Sequence, residues 1–286
     1  MTSDIHQPLA SIGLFFHNES HFIRESVESL LAQDYSNLEI IISDNCSTDD
    51  SETICEEAIA GDSRVRYERL DRNIGAAANS IRVLEAARGD YFMWASGHDL
   101  WSPDMISKCV ATLEEHPDAA IAYATSKWID IDGSQIGKES GWYDTRGMDP
   151  MLRFFFAFWG NLHPVLGVIR TRYLRDVPKI HSCIGADQIL LTDLSLRGDF
   201  IHVPNTTWSR RQPRKEESHK DKIKRYKSDE FGQTGTWIDS RLPLFRLPIE
   251  QIRSILRCSL GLFKKLAMVC ALVPAFLVRY LAGRRQ

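Results

Sequence analysis

Two clusters of polar side chains follow apolar runs within the first hundred residues. The run at 38–42 leads into the cluster at 43–49, and the run at 91–95 leads into the cluster at 96–101. In an open parallel sheet, the carboxyl ends of the strands line the crevice where ligands bind. Asp44 at such an end has the hydrogen-bonding groups that a flat polar ring requires. The two clusters therefore predict a nucleotide site.

Strand-like and helix-like patterns alternate up to about residue 125. Apolar residues recur at helical spacing in four segments, and the segments between them are apolar or alternating. This order implies right-handed crossovers and an α/β, doubly wound, mostly parallel sheet flanked by helices. The predicted strands are 11–16, 38–42, 65–70 and 91–95, and the predicted helices are 22–31, 54–59, 76–87 and 103–116.

The second half of the chain has a different order of elements. A bulky apolar helix is predicted at 151–159 and another helix at 186–196. A turn is expected at Asp132-Gly133 between two extended segments. Short strands are predicted at 119–124, 126–131, 165–169, 200–203 and 206–209.

Charge is distributed unevenly along the 286 residues, whose net charge is -3. Residues 1–204 carry 17 basic and 31 acidic side chains, whereas residues 205–286 carry 18 basic and 7 acidic ones. A basic segment of this kind indicates an anionic partner. Because it lacks an aromatic ladder and any known reader motif, we expect no nucleic acid partner.

The basic segment contains an apolar stretch at 266–278, interrupted by Pro274 and flanked by lysine and arginine. The 13 residues of this stretch are fewer than the roughly 20 that a helix needs to span a bilayer. The pattern favours a helix lying in the interface of an anionic membrane leaflet. The alternatives are a helix packed on the protein itself and a contact between copies of the chain.

The N-terminus and the cysteines bear on the cellular compartment. Residues 1–8 are polar and lack the apolar segment of a secretory signal. The six cysteines show neither close pairing nor metal-type spacing, which indicates free thiols in a reducing compartment. We therefore expect a cytoplasmic protein, peripheral on the inner face of the cell membrane.

Several sequence blocks, taken together, carry a family pattern. They lie at 11–19, 29–33, 39–49, 73–75 and 89–91. In this order and at this spacing they resemble the inverting glycosyltransferases of family 2, which have the GT-A fold. The resemblance is strong over residues 9–125, weaker through 185–187 and 208–211, and ends near residue 220.

The resemblance implies a division of the chain. A GT-A-like domain is expected at 1–220, with a nucleotide-sugar half at 1–125 and an acceptor half at 126–220. Residues 221–286 then form a basic C-terminal helical extension, the expected membrane-interface anchor.

The resemblance also implies residues that bind the nucleotide-sugar donor. Asp44 is expected to hydrogen-bond the base, and its alternative role is that of a turn or helix-capping residue. Phe16, His17 and Glu19 are expected to line the base and ribose pocket. For Glu19, a favourable position at the start of a helix is the alternative.

Further donor contacts are implied by a glycine loop and an arginine pair. Asn73 and Gly75 lie where a loop approaches the donor, although Gly75 also suits a backbone turn. Arg210 and Arg211 are expected to clamp the diphosphate and stabilise the charge that develops on it. Their alternative is a solvated basic surface.

The expected metal site departs from the family pattern of Asp-x-Asp. The matching stretch is Ser96-Gly97-His98-Asp99, so a serine replaces the first aspartate and a histidine occupies a ligand position. Ser96 and Gly97 remain candidate donor-binding residues, and His98 and Asp99 are the candidate ligands. Because imidazole suits softer ions, Mn²⁺ is favoured over Mg²⁺. The alternative is that His98 binds phosphate directly, with no metal or only a weakly bound one.

A general base is implied at the start of a helix in the second half. Asp187, just before an apolar run, matches that position, and Asp193 is a weaker candidate. A carboxylate here would take a proton from the acceptor hydroxyl. The alternative is an ordinary acidic residue in the first turn of a helix. His163 and Trp142 are the candidate contacts for the acceptor sugar, and a satisfied loop histidine is the alternative for His163.

Together these features predict an inverting glycosyltransferase assisted by a divalent cation. It would move a sugar from a nucleoside-diphosphate sugar, with UDP the expected nucleotide, to a saccharide or lipid-linked acceptor in surface polysaccharide or glycolipid biosynthesis. The alternative is a nucleotide-sugar-binding protein of the same fold without turnover. A dinucleotide-dependent enzyme is disfavoured, because Gly-x-Gly-x-x-Gly does not follow the first strand.

Overall fold

A single mixed β-sheet forms the centre of the molecule. The computed structural model describes residues 7–139, 143–160, 163–175, 185–212 and 245–282. Within these ranges the strands are ordered β3-β2-β1-β4-β8-β6-β9-β5, and β7 pairs with β6. The strands are β1 (Ala10–Phe16), β2 (Leu38–Asp44), β3 (Val65–Arg69), β4 (Tyr91–Ser96), β5 (Leu100–Trp101), β6 (Ala119–Ile129), β7 (Gln135–Glu139), β8 (Val168–Arg170) and β9 (Asp199–Arg211).

Helices cover the sheet and extend the C-terminal part. A 3₁₀ turn at His163–Leu166 precedes β8, and a π-helical turn at Val278–Ala282 follows the last helix. The α-helices are α1 (Ile23–Leu31), α2 (Ser51–Ile59), α3 (Ala76–Ala86), α4 (Met105–Glu115), α5 (Pro150–Trp159), α6 (Thr171–Arg175), α7 (Ala186–Arg197), α8 (Arg246–Arg257) and α9 (Leu262–Leu277).

The strand pairing brings the polar strand ends together. Parallel pairs join β3, β2, β1 and β4, and a further parallel pair joins β6 and β9. In this register Phe16 lies beside Asp44, and Phe15 lies beside Ser96. The predicted α/β fold, with a mostly parallel sheet and helices on the C-terminal side, is confirmed. It has the arrangement of the GT-A fold.

Two long strands replace pairs of short ones. β6 and β9 each run continuously where two strands were predicted, because the predicted breaks occur inside the ladder. The register steps from Ala124 opposite Val203 to Thr125 opposite Thr207. Pro204, which cannot donate a hydrogen bond, therefore lies in a bulge, where proline is tolerated. The following Asn205 adopts a left-handed φ of 63°.

The C-terminal helices pack on the same body as the sheet domain. Phe154 and Phe158 of α5 share a buried cluster with Ile255 of α8 and with Met268 and Leu272 of α9. Pro274, which interrupts the apolar stretch in the sequence, lies inside α9, and the helix continues to Leu277 before the change to π-helical bonding. In the described part of the chain, no helix has the length and apolar character needed to cross a bilayer.

Candidate functional site

The loops that follow β1 and β2 are bound to each other by hydrogen bonds. The backbone N–H of Asn18 donates to Ser47 Oγ at 2.9 Å, and Thr48 N–H donates to Asn18 Oδ1 at 2.8 Å. The backbone N–H of Glu19 donates to Ser51 Oγ at 2.8 Å. Asn18 has a left-handed φ of 55°, which asparagine tolerates better than most residues. These contacts fix one wall of the crevice.

Asp44 is fully buried at the base of this wall. Its Oδ1 accepts from both the backbone N–H and the hydroxyl of Ser47, at 2.8 and 2.6 Å. Its Oδ2 lies 3.4 Å from Tyr67 Oη and 3.9 Å from Arg69 Nε. This geometry corresponds to the alternative of a turn-forming aspartate. Contact between Asp44 and a nucleotide base stays a prediction.

An asparagine pair joins the β2 loop to the start of α3. Asn45 Nδ2 donates to Asn73 Oδ1 at 2.8 Å, and Asn45 Oδ1 accepts from Ile74 N–H at 2.9 Å. Gly75 donates its N–H to the same Asn73 oxygen, with φ at 83° and ψ at 151°. Only glycine occupies that backbone region readily. Asn73 and Gly75 therefore shape the loop, whatever donor contacts they make.

The loop after β4 lies directly against the loop after β1. A Cβ at Gly97 would lie 2.9 Å from Phe16 Cβ and 3.1 Å from Glu19 Cγ. Within the described residues, Ser96 Oγ and His17 Nδ1 are buried without a hydrogen-bond partner. Buried polar atoms of this kind call for an explanation, and a bound polar ligand at the strand ends would supply one.

Phe16 does not line this crevice with its ring, which corrects one prediction. The side chain is 4% exposed and packs in the core between the sheet and α1. Strand alternation causes this, because Phe16 points to the same face as Leu14 and Ile12. Only its backbone reaches the loop, where its carbonyl accepts from Asn45 N–H at 2.9 Å.

His98 and Glu19 form a partly exposed pair at the mouth of the crevice. His98 Nδ1 lies 2.9 Å from Glu19 Oε1, and the two side chains are 27% and 20% exposed. The opposite ring atom, Nε2, is 3.9 Å from Asp99 Oδ1. A carboxylate at one ring nitrogen orients the imidazole and fixes its tautomer. Glu19 therefore acts on His98, a relation that the sequence did not reveal.

Asp99 is buried and its carboxylate is engaged within the protein. Oδ2 accepts from Trp208 Nε1 at 3.0 Å and Oδ1 accepts from Arg211 backbone N–H at 2.9 Å. These bonds hold the β4 loop to β9. The described residues contain no group of three or more His, Cys, Asp or Glu side chains arranged to hold a metal ion. The expected pair of His98 and Asp99 thus fits a tightly bound cation poorly.

Arg211 is also committed to the protein, contrary to the predicted diphosphate clamp. Its guanidinium donates to the carbonyls of His98 at 3.0 Å and Ile131 at 2.7 Å, and it pairs with Glu25 at 2.6 Å. The side chain is 2% exposed. Arg211 therefore ties α1, the β4 loop and the β6–β7 turn together.

Arg210 lies among aromatic rings next to Arg211. Its guanidinium carbon is 4.4 Å from the ring centre of Trp128 and 5.8 Å from that of Trp208. Stacking on indole rings keeps the guanidinium plane in one orientation. Trp128 was not among the predicted site residues, since nothing in the local sequence distinguishes it from other strand aromatics.

Asp187 stands in the first turn of α7, after Gly185 with its left-handed φ of 88°. Its side chain is exposed to solvent, yet desolvation raises the pKa of the carboxyl, and the positive charge of Arg210 opposes that rise. A carboxylate has both properties when it is open to solvent but enclosed by protein on most sides. The structure therefore brings Asp187 and Arg210 into one electrostatic environment.

The structure does not describe the side chains of the two predicted acceptor contacts, Trp142 and His163. Trp142 lies outside the described residues. His163 begins the 3₁₀ turn before β8, and the position of its side chain is likewise outside the description. Both remain predictions.

The comparisons with known proteins agree with this fold. Residues 11–170 match the model of glycosyl transferase family 2, and this chain belongs to that family. It is 33% identical over 136 residues to chondroitin synthase of Escherichia coli, a match that covers 47% of this chain and 20% of that protein. It is 30% identical over 132 residues to TuaG of Bacillus subtilis, covering 46% of this chain and 52% of TuaG.

The solved structures show the same architecture. A structure of S. aureus TarS, residues 1–349, in complex with UDP-GlcNAc matches with a TM-score of 0.69 over 95% of this chain and 73% of that chain. The sequence identity is 16%, so this likeness concerns the fold. The matched region spans about half of TuaG and a fifth of chondroitin synthase.

Proposed function

We propose that this protein transfers a sugar, with inversion, from a nucleoside-diphosphate sugar to a saccharide or lipid-linked acceptor. Membership of glycosyl transferase family 2 supports the reaction class. The single observation that carries the residue assignment is the position of Asp187, an exposed carboxylate in the first turn of α7 whose pKa is affected by the charge of Arg210. UDP is the proposed nucleotide, because the TarS structure holds UDP-GlcNAc.

Asp187 has the attributes of the base in an inverting transfer. It takes the proton from the acceptor hydroxyl as that oxygen attacks the anomeric carbon from the side opposite the diphosphate. The new C–O bond forms as the bond to the diphosphate breaks, so the configuration inverts. A pKa above the ordinary aspartate value makes the carboxylate a better proton acceptor.

The leaving diphosphate gains negative charge in the transition state, and Arg210 is the proposed counter-charge. A guanidinium held in place by two indole rings needs little reorganisation when that charge appears. Arg211 contributes indirectly, because its hydrogen bonds hold the strand that carries Arg210 against the β4 loop.

A divalent cation is a common requirement in the family, and Mn²⁺ or Mg²⁺ at His98 and Asp99 stays a prediction. Because Asp99 is engaged by Trp208 and Arg211, we derive no step of the transfer through a metal. Transfer measured after treatment with a chelator, and again after addition of Mn²⁺ or Mg²⁺, tests this. Full activity in the chelator would remove the cation from the mechanism.

The biological setting proposed is the assembly of a surface polysaccharide or glycolipid. Support comes from the names of the relatives, a chondroitin synthase and a protein named for teichuronic acid biosynthesis. A second candidate is a nucleotide-sugar-binding protein without turnover. Ser96 in place of the first family aspartate, together with the engaged Asp99, favours this second candidate.

The test is a panel of nucleotide sugars offered to the purified protein. A donor that binds only the folded state raises the midpoint of thermal unfolding and so identifies the nucleotide and sugar. Release of the nucleoside diphosphate, with and without saccharide acceptors, then reports turnover, and the anomeric configuration of the product reports inversion. Binding without release, for every acceptor tried, would favour the second candidate.

A further inference from the structure

The last helix, α9, has two different faces. Met268, Leu272 and Phe276 recur every four residues and are buried against α5, α7 and α8. The opposite face is exposed and apolar over the full length of the helix, and Phe263 is 89% exposed. The large apolar side chains on that face and just beyond it are Leu262, Phe263, Leu266, Val273, Leu277 and Val278.

Helix α5 continues this exposed apolar surface. Lys264 Nζ near the start of α9 bonds Asp149 Oδ2, just before α5, at 2.6 Å. Arg279, after α9, donates to the carbonyl of Gly160, just after α5, at 3.4 Å. The two helices are thus joined at both ends, and α5 exposes its own stripe. The exposed side chains of that stripe are Leu152, Phe156 and Trp159.

We call these nine side chains of α5, α9 and the following residue the apolar patch. Large contiguous apolar surfaces of this kind mark interaction sites. The segment that carries most of the apolar patch is basic: residues 245–282 contain six lysines and arginines and one acidic residue, Glu250, and Lys264 at the start of α9 pairs with Asp149. Two further arginines follow at positions 284 and 285 in the sequence. An occupant must therefore be apolar in the middle and anionic around it.

We propose that the apolar patch docks on the surface of an anionic lipid bilayer. An amphipathic helix with cationic flanks lies in the plane of such an interface, with its apolar side chains among the acyl chains and its cations near the headgroups. Trp159 belongs to the residue type enriched at that depth. A second copy of the chain would instead bring two basic segments together, which charge repulsion disfavours.

Docking in this way places the candidate base close to the lipid. Phe276, on the inner face of α9, packs with Ile189 and Leu247, and Ile189 lies two residues after Asp187 on α7. About one helix diameter, roughly 10 Å, therefore separates the start of α7 from the docked face. Within the proposed function, this favours an acceptor carried on a lipid over a free saccharide.

The experiment measures sedimentation of the full chain with vesicles. One set contains phosphatidylcholine alone, and the other contains phosphatidylcholine with phosphatidylglycerol. The test variant combines Phe263→Glu, Leu266→Glu and Val273→Glu, all at exposed positions. The control is Ile131→Glu, which places one negative charge, against three in the test variant, on an apolar residue of the β6–β7 turn that is 57% exposed and lies outside the apolar patch.

We expect the wild type and the control to bind the anionic vesicles at least tenfold more strongly than the neutral ones, since each cation near the surface contributes about a factor of five. The triple variant should lose most of this binding while keeping the wild-type unfolding midpoint. Equal binding by the triple variant, or no binding by the wild type, would overturn the proposal. So would a concentration-dependent dimer in the wild type that the triple variant abolishes. Donor binding is measured separately and is expected to be the same in all three proteins.

Discussion

At the scale of single residues, Asp187 combines access to solvent with a raised pKa. Its replacement should reduce the rate of sugar transfer without reducing donor binding. Asp187→Asn keeps the shape of the side chain but cannot accept the proton. We expect transfer to fall by on the order of 10² to 10⁴, while affinity for the donor changes little. Initial rates and thermal shift with the donor measure the two effects. A parallel loss of donor binding would contradict the assignment of Asp187 as base.

The raised pKa also has a consequence for stability. The folded chain keeps the Asp187 proton to higher pH than the unfolded chain, so the free energy of unfolding falls as pH rises from the ordinary aspartate pKa through the raised value. At neutral pH, Asp187→Asn should therefore raise the midpoint of thermal unfolding, and the gain should vanish in acid.

Asp104 supplies the opposite case. Lys108, Thr206 and Ser102 lower the pKa of Asp104 to about 2. Its ionised form therefore stabilises the fold above the ordinary aspartate pKa, and this contribution is lost as the pH falls towards 2. Asp104→Asn should lower the unfolding midpoint at neutral pH. The same sign for both variants would contradict this account.

Arg210 should be visible in the pH dependence of the rate. Its charge lowers the pKa of Asp187 against the effect of desolvation. Arg210→Gln removes that charge, so the acid limb of kcat/KM should move to higher pH. Arg82→Gln, on an exposed arginine paired with Glu68, is the matched control and should leave the limb in place. If the acid limb of the Arg210→Gln profile stays at the wild-type pH, the charge of Arg210 does not act on the base.

The types of residue at the strand ends predicted where the site lies but not what each side chain does there. Asp99 is engaged by Trp208, which is 109 positions away, and no local pattern reveals such a partner. Asp44 binds Ser47 within its own turn, an alternative that the local sequence did allow. The pairing of Glu19 with His98 again depends on two loops meeting in space.

At the scale of elements, the close approach of the β1 and β4 loops depends on Gly97. Gly97→Ala would place a methyl group 2.9 Å from Phe16 Cβ, which is fixed to the backbone of β1. We expect a loss of about 1–3 kcal/mol in the free energy of unfolding and weaker donor binding. Gly137→Ala, where no atom lies within 4 Å of the added Cβ, is the control. Equal effects of the two variants would contradict the packing argument.

Apolar runs and helical periodicity predicted most strands and helices of the first half, because strands such as β1 and β2 are buried on both faces and the helices each bury one face. The second half was harder for a specific reason. β9 contains Pro204 and a left-handed Asn205, both of which read locally as a break, yet pairing with β6 continues on either side of them. A long-range ladder thus overrides a local signal.

At the scale of the whole molecule, adjacent positions on α9 should respond very differently to the same kind of change. Leu272 is fully buried among α5 and α8 side chains, whereas Val273 is 54% exposed. Leu272→Ala should cost about 2–5 kcal/mol of unfolding free energy, and Val273→Ala should cost less than about 0.5 kcal/mol. Denaturant unfolding measures both. Comparable losses would mean that both faces of α9 are covered.

The basic tail was predicted from its charge and apolar stretch, and packing on the protein was an alternative, but the sequence did not identify α5 and α7 as the elements it contacts. Sequence spacing shows that a helix has an apolar face, and it does not show which element covers that face. On α9 nearly the whole circumference is apolar, so the pattern alone could not tell the inner face from the outer one.

The contact of Ile189 with Leu247 and Phe276 has a consequence for C-terminal truncation of this chain. Deletion of the C-terminal helices, which expose many apolar side chains, is the obvious way to obtain a more soluble protein. Those helices also support the first turn of α7, and Gly185 faces Leu247 directly, at 3.4 Å from a Cβ built on it. A shortened protein would lose the residues that pack against the helix of the proposed base, and we expect it to be slow even towards an acceptor dissolved in water.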